Sequence, residues 1–343
     1  MSKTAIVLFN LGGPDRLESV RPFLFNLFND RAIIDLPGPS RWLLAQLISR
    51  RRAPVARRIY QALGGGSPLL ANTEAQARAL QAALNDLGGD LRVFVAMRYW
   101  HPMSDETAAQ VAAYGPDRVV LLPLYPQYST TTTGSSLADW TRAAKAVGLT
   151  APTRGICCYP REPGFVAQIA EGLGQALDTL GAETPVRVLF SAHGLPKKIV
   201  ARGDPYQWQV EATVEAVVQA LGRPGLDWRV CYQSRVGPLE WIGPATDREI
   251  EGAGKDGLAL VVVPIAFVSE HAETLVELDQ EYRELAHRSG VPTYLRVATV
   301  NEGARFIEGL AGLVRAALGE DRPLRSQDGG RLCPERWGRC PNG

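Results

Sequence analysis

His193 closes an apolar run in Ser191-Ala-His-Gly-Leu-Pro196, and His271 follows another in Glu270-His-Ala-Glu-Thr-Leu-Val-Glu277. The chain holds only four histidines, so two in matching places after apolar runs are candidates for chemistry. Glu273 and Glu277 stand four residues apart, on one face of a helix, with Glu270 three residues before Glu273. Such a stripe gains from the helix dipole but repels itself, and a solvated acidic face is its plain alternative. Carboxylate oxygens and imidazoles together suit a divalent ion such as Fe²⁺ or Zn²⁺. They equally suit proton removal, because histidine titrates near neutrality and a neighbouring carboxylate sets its tautomer. The spacing is not H-E-x-x-H, so zinc-protease chemistry is not indicated.

Other polar groups follow apolar runs. Tyr125-Pro-Gln-Tyr-Ser-Thr-Thr-Thr-Thr-Gly-Ser-Ser136 is dense in hydroxyls. Gly64-Gly-Gly-Ser67 lacks the Gly-Lys-Ser/Thr ending of a P-loop, yet glycine allows close backbone approach. Gly252-Ala-Gly-Lys-Asp-Gly257 fits a dinucleotide pattern but precedes a strand instead of following one. Arg41, Arg50, Arg51, Arg52, Arg57 and Arg58 accompany Phe23, Phe25, Phe28, Trp42, Leu43 and Leu44. Apolar walls edged by arginines suit a flat dianion. They also suit a membrane surface, or an ordinary amphipathic helix pair.

These groups need a frame. Strands are expected at Ala5–Phe9, Arg92–Ala96, Arg118–Leu122, Arg187–Phe190, Arg229–Tyr232 and Leu258–Val263. Helices are expected at 74–87, 104–114, 163–180, 205–221 and 270–288. Strand and helix alternate, as in an α/β fold with parallel sheets covered by helices. Three pairs of segments repeat: 5–14 with 186–196, 92–98 with 229–235, and 119–125 with 260–266. Two similar Rossmann-like domains follow, with a ligand cleft expected between them. The first takes 1–150 plus about 300–320 and the second 151–300. Residues 321–343, rich in Arg, Gly, Pro and Cys without a helical or strand period, are expected to form a tail.

The 343 residues are 45% hydrophobic and 21% charged, an ordinary balance for a globular chain. Thirty-seven basic against 36 acidic residues give a net charge of +1, so no nucleic-acid partner is expected. The longest apolar run, Leu258–Val268, is interrupted by Pro264 and is too short to span a bilayer. The N-terminal apolar stretch is too short for a signal peptide, so a cytoplasmic location is expected.

In order along the chain, Phe9-Asn-Leu-Gly-Gly-Pro14, Gly64-Gly-Gly-Ser-Pro68, Arg98-Tyr-Trp-His-Pro102, Tyr125-Pro-Gln-Tyr-Ser129 and Thr133-Gly-Ser-Ser136 resemble the ferrochelatase family. So do Ser191-Ala-His-Gly-Leu-Pro196, Gln233-Ser-Arg-Val-Gly-Pro-Leu-Glu-Trp241 and Pro264-Ile-Ala-Phe-Val-Ser-Glu-His-Ala-Glu-Thr-Leu-Val-Glu-Leu-Asp279. The resemblance covers about Thr4 to Leu318. It implies two chelatase-type domains and insertion of Fe²⁺ into protoporphyrin IX, the last step of haem synthesis. Coproporphyrin, another metal, or non-catalytic tetrapyrrole binding are the alternatives. The resemblance gives His193 the role of metal ligand and pyrrole base. Glu273 is its partner across the cleft, and His271 belongs to the same pocket. Glu270 and Glu277 continue an acidic path. Leu11, Arg52, Tyr60, Ser67, Arg98, Tyr99, Ser129 and Trp241 fall on the porphyrin-binding wall. Leu11 stands where some members have methionine, so no sulfur ligand is expected there. Peripheral membrane contact is a further expectation.

Five cysteines are too few for a disulfide framework in so long a chain. Cys231 reads as a core residue in a strand. Some ferrochelatases carry a [2Fe–2S] cluster on tail cysteines, and four thiolates are what one needs. Cys157, Cys158, Cys333 and Cys340 would supply them here. Neighbours in a strand point oppositely, so joint ligation by Cys157 and Cys158 requires them to lie in a loop.

Overall fold

The computed structural model describes residues 2–181, 183–235, 237 and 239–342. Nine strands are described: β1 (Lys3–Asn10), β2 (Asp90–Met97), β3 (Arg118–Pro123), β4 (Thr153–Cys158), β5 (Val186–His193), β6 (Asp227–Gln233), β7 (Ala259–Pro264), β8 (Tyr294–Arg296) and β9 (Leu324–Ser326). The chain divides into two compact units. One runs to Cys158 and takes back Leu310–Arg331 and Asn342; the other holds Tyr159–Gly309 and Leu332–Pro341.

The first unit carries a five-stranded sheet, order β2-β1-β3-β4-β9, in which every pairing is parallel. Residues Ala5–Phe9 of β1 are buried without alternation, as a central parallel strand covered on both faces must be. The second unit carries a four-stranded parallel sheet, order β6-β5-β7-β8. Its first three strands take the same relative places as β2, β1 and β3, and these are the segments that repeat in the sequence. In both sheets the first strand has neighbours on both sides, so chain order reverses there. Open α/β sheets bind ligands at the carboxyl ends of such strands.

The residue patterns account for the helices that frame the site. Helix Pro163–Leu180 starts with proline in its first turn, and the Glu162 side chain accepts from Phe165 N at 2.6 Å. Helix Gly38–Ala62 holds the six arginines singled out above and no acidic residue. The segment after β7 is not an α-helix throughout. Glu273–Tyr282 is a π-helix, followed by α-helix Arg283–Arg288. Among the described residues no helix is long and apolar enough to cross a membrane.

Two expectations need correction. Residues 321–343 are not wholly without regular structure, because Leu324–Ser326 forms β9 and pairs in parallel with β4. A three-residue strand is too short to show a period in the sequence. Cys157 and Cys158 lie not in a loop but at the end of β4, where the register skips between Ile156 and Cys158. That bulge replaces the loop. It breaks the alternation, and the two Sγ atoms lie 3.3 Å apart.

Candidate active site

The last residue of β5 is His193, and Tyr206 OH donates to its carbonyl at 3.0 Å. Its imidazole Nδ1 meets Glu273 Oε2 at 2.8 Å; Glu273 is the first residue of the π-helix. The two are therefore side by side in the second unit, not across a cleft from one another. Their side chains remain 39% and 27% exposed. With Nδ1 and Oε2 tied together, His193 Nε2 and Glu273 Oε1 have no hydrogen-bond partner among the described residues. One nitrogen and one oxygen are thus left for a substrate. Burial acts to lower the His193 pKa, but the charge and hydrogen bond of Glu273, with the charge of Glu277, together outweigh it and the value rises. Burial acts to raise Glu273, but His193 outweighs it and holds the carboxyl at about 2.

Glu277, one turn on, is surrounded by donors. Ser234 N donates to its Oε1 at 2.9 Å and Ser234 Oγ to its Oε2 at 2.5 Å. Gln233 Nε2 reaches Oε2 at 3.0 Å, and Tyr282 OH reaches Oε1 at 3.1 Å. Gln233 is itself set by Ser191, whose Oγ donates to Gln233 Oε1 at 2.8 Å. Despite these donors, burial and the charge of Glu273 raise the Glu277 pKa. Two neighbouring carboxyls are thereby pushed apart in proton affinity, an arrangement suited to acid–base work.

His271 Nδ1 donates to the Ser269 carbonyl at 3.0 Å, which leaves Nε2 as its acceptor atom in the neutral form. Its ring lies 4.8 Å from that of Phe267, and its charge helps to hold Glu273 ionised. Glu270 turns elsewhere. Its Oε1 is 2.5 Å from Arg296 Nη1 and accepts from Thr299 N at 2.9 Å. Arg296 also pairs with Asp279, so Glu270 belongs to an ion-pair knot at β8. Trp241 lies over the turn after His193: a Cβ on Gly194 would be 3.3 Å from its ring, and Ile242 N donates to Leu195 O at 2.9 Å. Val236 and Pro238 of the same motif lie outside the described residues.

The residues expected on the porphyrin wall are in the first unit, Trp241 excepted. Arg98 pairs with Asp30 at 3.0 Å and donates from Nε to Ser135 Oγ at 2.7 Å. Tyr99 is fully buried, with its hydroxyl donating to Asp30 Oδ2 at 2.7 Å, so it supports a surface instead of presenting one. Leu11 and Tyr60 pack half-buried against Val20, Phe23, Leu24, Ala53 and Tyr99. Ser67 N donates to Pro14 O at 2.8 Å, and the neighbouring glycines let the chains meet: a Cβ on Gly66 would lie 2.5 Å from Asp15 O. Ser129 is buried and accepts from Thr131 N at 3.1 Å. Arg52 is half-buried over the Phe28 ring, its pKa lowered by burial, and makes no ion pair among the described residues.

All five cysteines are buried, and none of them forms a disulfide. Burial pushes the Cys231 thiol up to about 12, as for an inert core residue. Gln209 Nε2 is 3.1 Å from Cys333 Sγ. Among the described residues no group of three or more His, Cys, Asp or Glu side chains is gathered as a metal site.

Three residues central to this network, Gln233, Ser234 and Tyr282, carry no chemical signature of their own in the sequence. The first two stand inside a motif quoted above; nothing but the folded register shows that they face Glu277.

The family model for ferrochelatase matches residues 3–318. A ferrochelatase of Phenylobacterium zucineum is 56% identical over 340 residues, covering 98% of this chain and 97% of the relative. One from Caulobacter vibrioides strain NA1000 is 54% identical, covering 99% and 97%. Among solved structures, the sirohydrochlorin chelatase SirB from Bacillus subtilis subspecies spizizenii, in complex with cobalt, superposes with a TM-score of 0.54 at 9% identity, covering 94% of this chain and 97% of that one. That likeness shows the fold, two parallel-sheet α/β units. The match along nearly the whole length shows more: this chain belongs to the ferrochelatase family.

Proposed function

We propose that the chain inserts Fe²⁺ into protoporphyrin IX to form protohaem, with His193 and Glu273 as the groups that meet the incoming metal and the departing protons. The observation that carries this is the 2.8 Å His193–Glu273 contact, which leaves Nε2 and Oε1 open in a chain of this family. A porphyrin carries two N–H groups that must be deprotonated as iron sheds its water. His193 Nε2 accepts a pyrrole proton while Glu273 stabilises the imidazolium; Oε1 offers an oxygen to the metal. His271 adds a second imidazole beside Glu273, and Glu277 continues the acidic path; Glu270, held by Arg296, does not join it. Leu11, Arg52, Tyr60, Ser67, Arg98, Tyr99, Ser129 and Trp241 form and support the porphyrin-binding surface, with the unpaired Arg52 as a propionate partner.

The test is anaerobic turnover with Fe²⁺ and protoporphyrin, repeated with coproporphyrin. Haem production by the wild type and its loss in His193→Ala, with porphyrin still bound, is the expected result. Stoichiometric binding without product would identify a carrier; faster turnover of coproporphyrin would reassign the substrate.

A [2Fe–2S] cluster on Cys157, Cys158, Cys333 and Cys340 is part of the same proposal. Thiolates are the donors such a cluster takes, and the bulge turns two consecutive sulfurs to within 3.3 Å; among the described residues the four cysteines are not gathered as one group, so the cluster would have to draw the two pairs together. A one-electron centre is what such a group supplies. Anaerobically purified protein should be brown, with its visible absorbance lost in Cys340→Ser; a colourless preparation refutes the cluster. We place the protein at the cytoplasmic face of a membrane, held through helix Gly38–Ala62. Its Trp42, Leu43, Leu47 and Val55 are 48%, 63%, 48% and 52% exposed beside Arg50, Arg51, Arg57 and Arg58.

A further inference from the structure

Asp30 is a buried carboxylate, its side chain 7% exposed, in the turn that joins helix Val20–Phe28 to helix Gly38–Ala62. An ionised carboxylate only accepts, with room for several partners, and Asp30 is crowded with them. Its Oδ2 accepts from the Tyr99 hydroxyl at 2.7 Å and from the Ser135 hydroxyl, and lies 3.0 Å from Arg98 Nη2. Its Oδ1 accepts from Ala32 N at 2.9 Å. Arg98 and Tyr99 follow β2, whereas Ser135 stands in the first turn of helix Thr133–Ala146, after β3. The same turn is tied by Asn26 Nδ2, which donates to the Tyr99 carbonyl at 3.1 Å, and by Arg41, which donates to the carbonyls of Asn29 and Leu36 at 2.9 and 2.6 Å. Helix Gly38–Ala62 carries Arg52 and Tyr60. Beyond its far end stand Gly64 and Gly65, with φ of +91° and +106°, where an added Cβ would meet open space, so the chain is not wedged at those two residues. Apolar packing against Val20, Phe23 and Leu24 holds the helix close but gives no direction, because burial of apolar surface is non-directional. Asp30 and Asn26 supply directional contacts, and Arg52 lies 6.0 Å over the ring of Phe28, two residues before Asp30.

We propose that Asp30 is a positioning residue for porphyrin binding: it fixes this helix pair on the segments that follow β2 and β3, and so sets where Arg52 meets a propionate. This rests on the reading that Arg52 is a propionate partner. The neighbouring Arg98 is shared between Asp30 and Asp139, at 3.0 and 3.6 Å, so its charge is already answered within the unit. Arg52 has no such carboxylate among the described residues, and its charge is left for the substrate. Held inside the unit, Asp30 acts through Arg52 and is not itself a substrate contact.

Asp30→Asn tests this, because the amide keeps the size and one acceptor oxygen but turns N–H donors toward groups that themselves donate. The porphyrin KM should rise about tenfold, the scale of one hydrogen bond to a charged group, while kcat and the Fe²⁺ KM stay near wild-type values. A residue that only stabilised the fold would lower Tm and the amount of active enzyme and leave the porphyrin KM unchanged. With the porphyrin dimethyl ester, which has no propionate charge, variant and wild type should have equal KM. In Asp30→Asn/Arg52→Ala the porphyrin KM should be no higher than in Arg52→Ala alone, since one residue acts through the other. Ser135→Ala removes one donor, leaves the carboxylate, and should raise the KM in the same direction by less. An unchanged porphyrin KM in Asp30→Asn, or in Ser135→Ala where the former does not fold, overturns the proposal. So do losses that multiply in the double variant. Arg52→Ala run alongside separates the two claims. If its KM is normal, the reading of Arg52 as propionate partner falls; if its KM rises while that of Asp30→Asn does not, only the positioning role falls.

Discussion

His193 and Glu273 each change the other's hold on a proton, and the two changes leave opposite marks on stability. Glu273 is held at about 2, below its ordinary 4.5, so its contribution is present above 4.5 and is lost as pH falls toward 2. His193 is raised above 6.5, so its contribution is full below 6.5 and is lost as pH rises through the folded value. Glu273→Gln should therefore destabilise the protein most between those limits and progressively less on either side. Denaturant midpoints of the variant and wild type across pH check this, and a difference that does not vary with pH rejects it. The variant should also bring the His193 pKa down, read by NMR of the imidazole. At this scale the sequence told much. Histidine after an apolar run and glutamates four apart single out His193, Glu273 and Glu277, and the fold brings these three together around Ser234. It could not separate Glu277 from Glu270, because the difference is Arg296, brought in by β8. Nor could it show that Tyr99 is buried behind Asp30, since aromatic type alone does not tell wall from support.

The six long apolar runs all became strands, because a central parallel strand writes its burial into every residue. The helices expected at 104–114 and 163–180 likewise form over those residues; in the structure a capping glutamate holds the start of one and a first-turn proline that of the other. Short edge elements such as β8 and β9 were not legible; three residues carry no period and their place depends on β7 and β4. The π-helix was read as an ordinary helix, since apolar spacing does not distinguish the two hydrogen-bond patterns. Close approach by glycine is testable at this scale. Gly66→Ala would drive a Cβ to 2.5 Å from the Asp15 carbonyl, where backbone cannot yield cheaply. The expected cost is about 1–3 kcal/mol, typical of overpacking, with weaker porphyrin binding through displacement of Ser67. Unchanged stability in thermal or denaturant unfolding would show that the segment relaxes freely.

The two units share one strand order at their centres, yet they have specialised differently. At the end of β1, Asn10 donates to Thr73 at 2.9 Å and builds a fixed polar joint; at the end of β5 stands the His193 imidazole, paired with Glu273. The shared strand order thus supplies the same kind of mouth twice, and the loops make the two mouths different. The exposed apolar residues of helix Gly38–Ala62 make a prediction for the molecule in its setting. Cosedimentation with anionic liposomes should weaken in Trp42→Ala/Leu43→Ala and on adding salt, with iron insertion in detergent unchanged. Equal recovery of variant and wild type in the pellet would remove this helix as the contact. The segment Leu324–Ser326 has a consequence for manipulation of the C-terminus. It pairs along β4 beside Cys157 and Cys158, both now sealed from solvent. A chain stopped after Gly319 would bare an unpaired rim with two thiols on it, prone to self-association and quick to react with a thiol reagent. Shortening the protein there, for crystallisation or fusion, should trade a monodisperse preparation for aggregates that light scattering detects.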